Sequence, residues 1–175
     1  MEKDWMVLLQ RQLQLAEIME MNQKTQRFGL ALSEEDTKLL LKERAHVLQK
    51  ERRVEFGAGI LPKMIEAFCD SDFIDQSNFV DTLIRLQDIF YEYKNEMQDE
   101  LTDDELLHFM REQFDEICFG DLNYLEGTCL RIFAEAVRAG YRGYQASEGC
   151  GEYGRFDEVQ RWDRELYLEA LEALF

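Results

Sequence analysis

Phe79, Leu83, Leu86, Phe90, Tyr93 and Met97 recur at alternating steps of four and three. That spacing puts six large side chains on one stripe of a helix, the mark of a core helix expected over about Gln76 to Asp99. The intervening Asp81, Arg85, Asp88, Glu92, Asn95 and Glu96 fall off the stripe and are expected to face water. Similar separations run along most of the chain, and seven helices are expected. The first runs from about Asp4 to Arg27, with Trp5, Leu8, Leu9, Ala16 and Met19 on one face. The second follows Ser33, whose hydroxyl suits an N-cap and whose successors Glu34, Glu35 and Asp36 suit the positive end of a helix dipole. It closes near Arg53, before Gly57 and Gly59. Pro62 suits the first turn of a third, through Phe68 and Cys69.

After the heptad helix, Thr102-Asp103-Asp104-Glu105 reads as a capping box opening a fifth helix. Gly120 ends it and Asp121 caps a sixth, with Leu122, Leu125, Cys129, Ile132 and Ala136 on one stripe. Gly140, Gly143, Gly149, Gly151 and Gly154 then mark a linker. A seventh helix from about Phe156 carries Val159, Leu166, Ala170 and Leu174 on its apolar face. The expected architecture is an all-α, single-domain helical bundle in two layers. Residues 1–144 form the core, 145–155 a glycine-rich linker, and 156–175 an amphipathic helix that packs on the core or on a partner.

Composition supports this picture. At 175 residues, 46% of them apolar and one proline, the chain can bury a core and run long helices. The apolar runs are too short to span a membrane, and the first residues lack a signal-peptide pattern, so the cytoplasm is the expected compartment. A net charge of −17 repels nucleic-acid backbones and anionic lipid, which argues against both as partners. The exception, Lys50 with Arg52 and Arg53, reads as cations at a helix C-terminus. The four cysteines form no C-x-x-C pair, which argues against a cysteine zinc site. Cys69, Cys118 and Cys129 read as buried free thiols, while Cys150, between two glycines, is expected to be exposed.

Four patterns invite a chemical reading. Glu43 to His46 and Glu105 to His108 are paired E-x-x-H motifs, as in di-iron bundles. Both histidines, however, fall away from the apolar faces of their helices, which Leu40, Leu41, Val47 and Leu48 define on the second and Leu106, Leu107, Met110, Phe114 and Ile117 on the fifth. No carboxylate in the Phe79 or Leu122 stripes completes a ligand set, so two surface histidines are expected. The loop Asp70 to Asp81 has an EF-hand's acidic outline, but Ile74 and Asp75 replace a ligand and the turn glycine, and Ser77 replaces an apolar residue. A turn in which Asp75 or Ser77 caps the heptad helix is the plainer reading. Gly149-Cys150-Gly151-Glu152-Tyr153-Gly154 spells G-x-G-x-x-G without the preceding strand that a dinucleotide site requires. The carboxylates from Glu96 to Glu116 read as a solvated face. Neither a G-x-S-x-G elbow nor a Walker loop is present.

The run Arg52-Arg53-Val54-Glu55-Phe56-Gly57, then Phe68-Cys69-Asp70-Ser71, resembles an uncharacterised family of Firmicutes cytosolic proteins. The stretches Phe114 to Gly127, through Cys118-Phe119-Gly120-Asp121, and Arg138-Ala139-Gly140-Tyr141-Arg142-Gly143-Tyr144 fit it too. The resemblance implies a bacterial cytosolic origin and supplies no catalytic residues. The reading favoured by the sequence is a non-enzymatic protein-interaction or regulatory module, without cofactor, that binds a protein partner or itself. Its terminal helices are the contact elements, with Trp162, Tyr167, Leu168 and Phe175 in the last one. The alternatives are a helical-bundle enzyme or sensor with a small-molecule or metal site, and an acidic nucleic-acid mimic that occupies a basic protein.

Overall fold

The computed structural model describes residues 2–141. All regular structure among them is helical. The elements are α1 (Glu2–Glu20), α2 (Asn22–Thr25), a 3-10 turn (Gln26–Phe28), α3 (Glu34–Lys50), α4 (Leu61–Phe68), α5 (Phe79–Glu96) and α6 (Asp103–Glu116). They are followed by α7 (Leu122–Tyr124), a π turn (Leu125–Leu130) and α8 (Arg131–Arg138). The chain gathers into two compact units, one ending at Tyr91 and the other beginning at Glu92, so the boundary falls inside α5. The expected linker at 145–155 and last helix at 156–175 lie outside the described residues.

In the first unit the core is built from Ile18 of α1, Leu40 and Val47 of α3, Met64, Ile65 and Phe68 of α4, and Phe79, Leu83 and Phe90 of α5. Local chemistry sets the helix starts. Ser33 Oγ accepts from the Asp36 amide at 3.0 Å, and Asp36 Oδ2 accepts from the Ser33 amide at 3.1 Å. This reciprocal pair satisfies two donors that a helix start leaves open. The extended stretch before it is clipped by side-chain amides. Asn22 accepts from and donates to the Leu32 backbone at 2.7 and 2.9 Å. Gln76 does the same to Ala31 at 2.8 and 2.9 Å. Each amide thereby mimics a neighbouring backbone and fixes a segment that no helix covers.

The first helix departs from expectation. It stops at Glu20, and the chain turns at Met21 before α2. Trp5, Leu8, Leu9 and Ala16, expected on one face with Met19, are exposed, and only Ile18 of α1 is fully buried. Ile18 lies about half a turn around the helix from the Trp5–Leu9–Ala16 face, so the side that enters the core is the opposite one.

In the second unit, Tyr93 of α5 and Met97, in the turn just after it, complete the buried stripe. The capping box opens α6 as expected: Thr102 Oγ1 accepts from the Glu105 amide at 3.2 Å, and Glu105 Oε2 accepts from the Thr102 amide at 3.3 Å. Asp121 Oδ1 accepts from the Asn123 and Tyr124 amides at 2.9 and 3.2 Å, opening the next helical stretch. That stretch was expected to keep one apolar stripe. Instead a π turn inserts extra backbone between Leu125 and Leu130 and rotates the face that follows. Ile132 is consequently only half-buried, and Phe133, Ala134 and Val137 join Ala136 in the core. Ile117, expected on the buried side of α6, is exposed because α6 has already ended at Glu116.

Candidate functional site

The exposed face of α1 is the largest departure from ordinary burial among the described residues. Trp5 is 67% exposed and Leu13 62%, with Met6, Leu8 and Leu9 exposed between them. At 100° per residue, Trp5, Met6, Leu9, Leu13 and Ala16 fall on one side, opposite Ile18. The helix is thus apolar on two sides, one turned inward and one presented outward. A contiguous apolar stripe of this kind marks a contact surface more often than a scattered exposed leucine does. Sequence periodicity finds the stripe and cannot say whether another element covers it.

The first unit also holds a polar cluster. Arg44 on α3 is buried and its Nη2 donates to the Glu55 carbonyl at 3.4 Å, while its Nε has no hydrogen-bond partner. Glu55 Oε2 accepts from the Tyr91 hydroxyl at 2.6 Å, and Arg53 Nε lies 4.0 Å from Glu55 Oε1. Glu55 is therefore turned in and anchored, while its neighbours Val54 and Phe56 point out, Phe56 at 91% exposure. The anchoring depends on Gly57 and Gly59, which hold φ of 63° and 59° in the left-handed region.

Of the four E-x-x-H residues, Glu43 and His46 lie on α3 in the first unit, and Glu105 and His108 on α6 in the second. Glu43 meets a partner that sequence reasoning set on a solvated face: Asp88 of α5. Burial, then the hydrogen bond and negative charge of Glu43, push the Asp88 carboxyl up to about 6, against the pull of Lys50 and His46. His46 is exposed, as expected. His108 is not: it is 7% exposed, and burial lowers its pKa although Asp104 opposes this. The expectation failed because α6 is packed on more than one side, with Leu107, His108, Met110 and Arg111 all buried. Among the described residues, no group of three or more His, Cys, Asp or Glu side chains is arranged to hold a metal ion.

Asp88 makes a pH prediction. A carboxyl whose folded-state pKa stands above its ordinary 3.8 opposes folding when ionised, so its penalty is present at pH 7 and fades as pH falls through about 6 toward 4. Asp88→Asn should stabilise the protein at pH 7 and flatten the pH dependence of its melting temperature over that window. An unchanged slope in the variant would show that the pair with Glu43 does not govern it.

In the Asp70 to Asp81 loop, Asp75 and Asn78 turn their side-chain oxygens onto the loop itself. Asp75 Oδ1 accepts from the Ser77 and Asn78 amides at 2.9 and 3.1 Å and from the Ser77 hydroxyl, and Asn78 Oδ1 accepts from the Asp75 amide at 3.0 Å. The hydroxyl bond holds Asp75 below the usual carboxylate range. This is the capped turn, entering α5.

In the second unit, buried Lys94 donates to the Leu101 carbonyl and pairs with Asp103 at 3.0 Å. The Tyr93 hydroxyl donates to the Glu126 carbonyl, and burial pushes it up to about 12. Cys118, in the turn after α6, and Cys129, in the π turn, are both buried with free thiols, and their sulfurs lie 3.6 Å apart. No spacing rule in the sequence brings these two together. Trp162, Tyr167, Leu168, Phe175 and Cys150 lie outside the described residues, as does the glycine motif from Gly149. No helix among the described residues is long and apolar enough to cross a membrane.

A family model described as a family of unknown function matches residues 17–143. The anchored Arg52–Gly57 segment and the two paired thiols fall within that match, and most of the exposed α1 stripe precedes it. No match was found among curated proteins or solved structures. With well over half of its length matched, the chain belongs to DUF6323, a family of unknown function.

Proposed function

We propose that the protein is a non-enzymatic interaction module of the bacterial cytoplasm that self-associates through α1. The observation that carries this reading is the exposed stripe of Trp5, Met6, Leu9 and Leu13. Written as heptads, Glu2, Leu9 and Ala16 fill one core column and Met6, Leu13 and Glu20 the other. Lys3, Gln10 and Glu17 lie along one flank, Trp5, Gln12 and Met19 along the other. Across an antiparallel two-fold axis like flank meets like flank. Leu9 then packs on Leu13 of the second copy and Met6 on its Ala16, while Lys3 faces its Glu17 and Trp5 its Met19. Lys3 and Glu17 complement each other at both ends, which a parallel pairing does not achieve, while Glu2 and Glu20 meet as like charges at the outer edges of the core columns. The net charge of −17 disfavours a nucleic acid or an anionic membrane as partner, and it also sets two copies against each other, a repulsion that the apolar contact has to outweigh.

Native mass spectrometry and light scattering on the full chain test this, beside Leu9→Glu combined with Leu13→Glu. The wild type should be dimeric. The variant should be monomeric, with association weakened by about 100-fold or more and helical content unchanged, because both positions face outward. A monomeric wild type, or a variant that still dimerises, would overturn the proposal. Removing the residues after Tyr144 separates the two terminal elements. A shortened chain that remains dimeric supports α1. One that is folded and monomeric moves the contact to Trp162, Tyr167, Leu168 and Phe175.

A further inference from the structure

We propose that Cys118 and Cys129 form a reversible disulfide on exposure to a hydroperoxide, making this turn a redox-modification site independent of the α1 contact. Their sulfurs, 3.6 Å apart, come from separate elements eleven residues apart in sequence. A disulfide needs a sulfur separation about 1.6 Å shorter, which side-chain rotation and a small shift of the turn can supply. Cys118 sits in that turn, and its amide donates to the Gln113 carbonyl at 2.8 Å. The flanking Ile117 and Phe119 are exposed, so the thiols lie just beneath the surface. Phe119 holds a φ of 47° and Gly120 one of 83°, a left-handed pair that departs from the helix and places Cys118 over the π turn.

Burial raises both thiols, Cys118 to about 12, so each reacts through the small fraction that is ionised. Either sulfur can donate in the contact between them, so the two can exchange the roles of attacking and resolving thiol. With Cys129 in the first role, its thiolate attacks one peroxide oxygen. The O–O bond breaks, and the departing oxygen takes up a proton and leaves as water from hydrogen peroxide, or as an alcohol from an organic hydroperoxide, giving a sulfenic acid on Cys129. Cys118 sulfur then attacks Cys129 sulfur. The S–O bond breaks, and hydroxide leaves with the Cys118 proton as water. Two thiols lose two electrons in total, and the peroxide gains them. Closure of the loop fastens the turn after α6 to the π turn. Cys69 belongs to the first unit and serves as an internal control.

The test is a peptide map of the reduced full chain after incubation with hydrogen peroxide, with remaining thiols alkylated before digestion. The expected product is a cross-linked peptide holding Cys118 and Cys129, two hydrogens lighter than its parts, that dithiothreitol separates. Cys69 should remain alkylated. In Cys118→Ser the cross-link should vanish and oxidation of Cys129 should stop at a sulfenic acid or proceed to a sulfinic one. Should that variant not fold, the wild-type map carries the test by itself. Sulfinic acids on Cys118 and Cys129 without a cross-link, or pairing of either with Cys69 or Cys150, would overturn the proposal.

Discussion

Phe133→Ala should destabilise the unit that begins at Glu92 by about 3–5 kcal/mol. Phe133 on α8 is fully buried and stacks on Phe109 of α6, with ring centroids 3.7 Å apart and an interplanar angle of 14°. Tyr141 meets it edge-on at 6.1 Å. Truncation removes the transfer energy of the ring and leaves a cavity between α6 and α8 that the π turn has set in place. Phe133→Leu should cost clearly less, since it fills most of the volume while losing the stacking geometry. Urea unfolding followed by circular dichroism measures both. A loss below about 1 kcal/mol for the alanine variant would show that this stack is not the centre of its core. Because the chain holds two units, the transition should be checked for a second phase before a single free energy is quoted.

Gly59→Ala is the second large effect. Gly59 has a φ of 59°, and an added Cβ would lie 2.7 Å from Arg44 Nη2 and 2.9 Å from Glu55 Oε2. The left-handed backbone alone costs an alanine about 1–2 kcal/mol. Crowding adds to this, because Arg44 is buried and Glu55 Oε2 already accepts from Tyr91, so neither can move without giving up its setting. Loss of that hydrogen bond contributes about another 1–2 kcal/mol. Gly29→Ala is the control: its φ is 75°, but nothing lies within 4 Å of an added Cβ. Thermal melts of the two variants separate backbone strain from crowding. Equal losses would mean that the Arg44–Glu55 contact yields freely.

Each element that the sequence predicted correctly rests on chemistry within one turn of chain. The Ser33 and Thr102 caps, the Asp75 turn and the buried stripe from Phe79 to Met97 all depend on side chains three or four residues apart. The errors share another cause. Periodicity places Trp5, Leu9 and Ala16 on one face of α1, which gives the angle between faces but not which face meets the protein. His108 was set on a solvated side because Leu106 and Phe114 were taken as the one contact of α6, when the helix is packed on more than one side. Asp88, set off the heptad stripe, finds Glu43 of α3.

The candidate sites follow the same division. The stripe on α1 and its charged flanks are legible in the sequence, whereas its exposure is not. The resemblance carried by Arg52 to Gly57 is legible, but the inward turn of Glu55 between outward Val54 and Phe56 is not. The Cys118–Cys129 pair is invisible to spacing rules because a turn with two left-handed residues and a π turn, rather than a helical repeat, bring the sulfurs together.

By itself the sequence determined the all-α class, most helix starts, the heptad core of α5 and the strongly acidic charge, since these follow from side-chain identity and short-range spacing. Only the tertiary structure decided which apolar face of α1 stays outside, that His108 is buried, and that residues as distant in sequence as Glu43 and Asp88, or Arg44 and Glu55 with Tyr91, share one environment. Burial and pKa depend on what packs against a residue, and that is a property of non-local contacts that no local pattern carries.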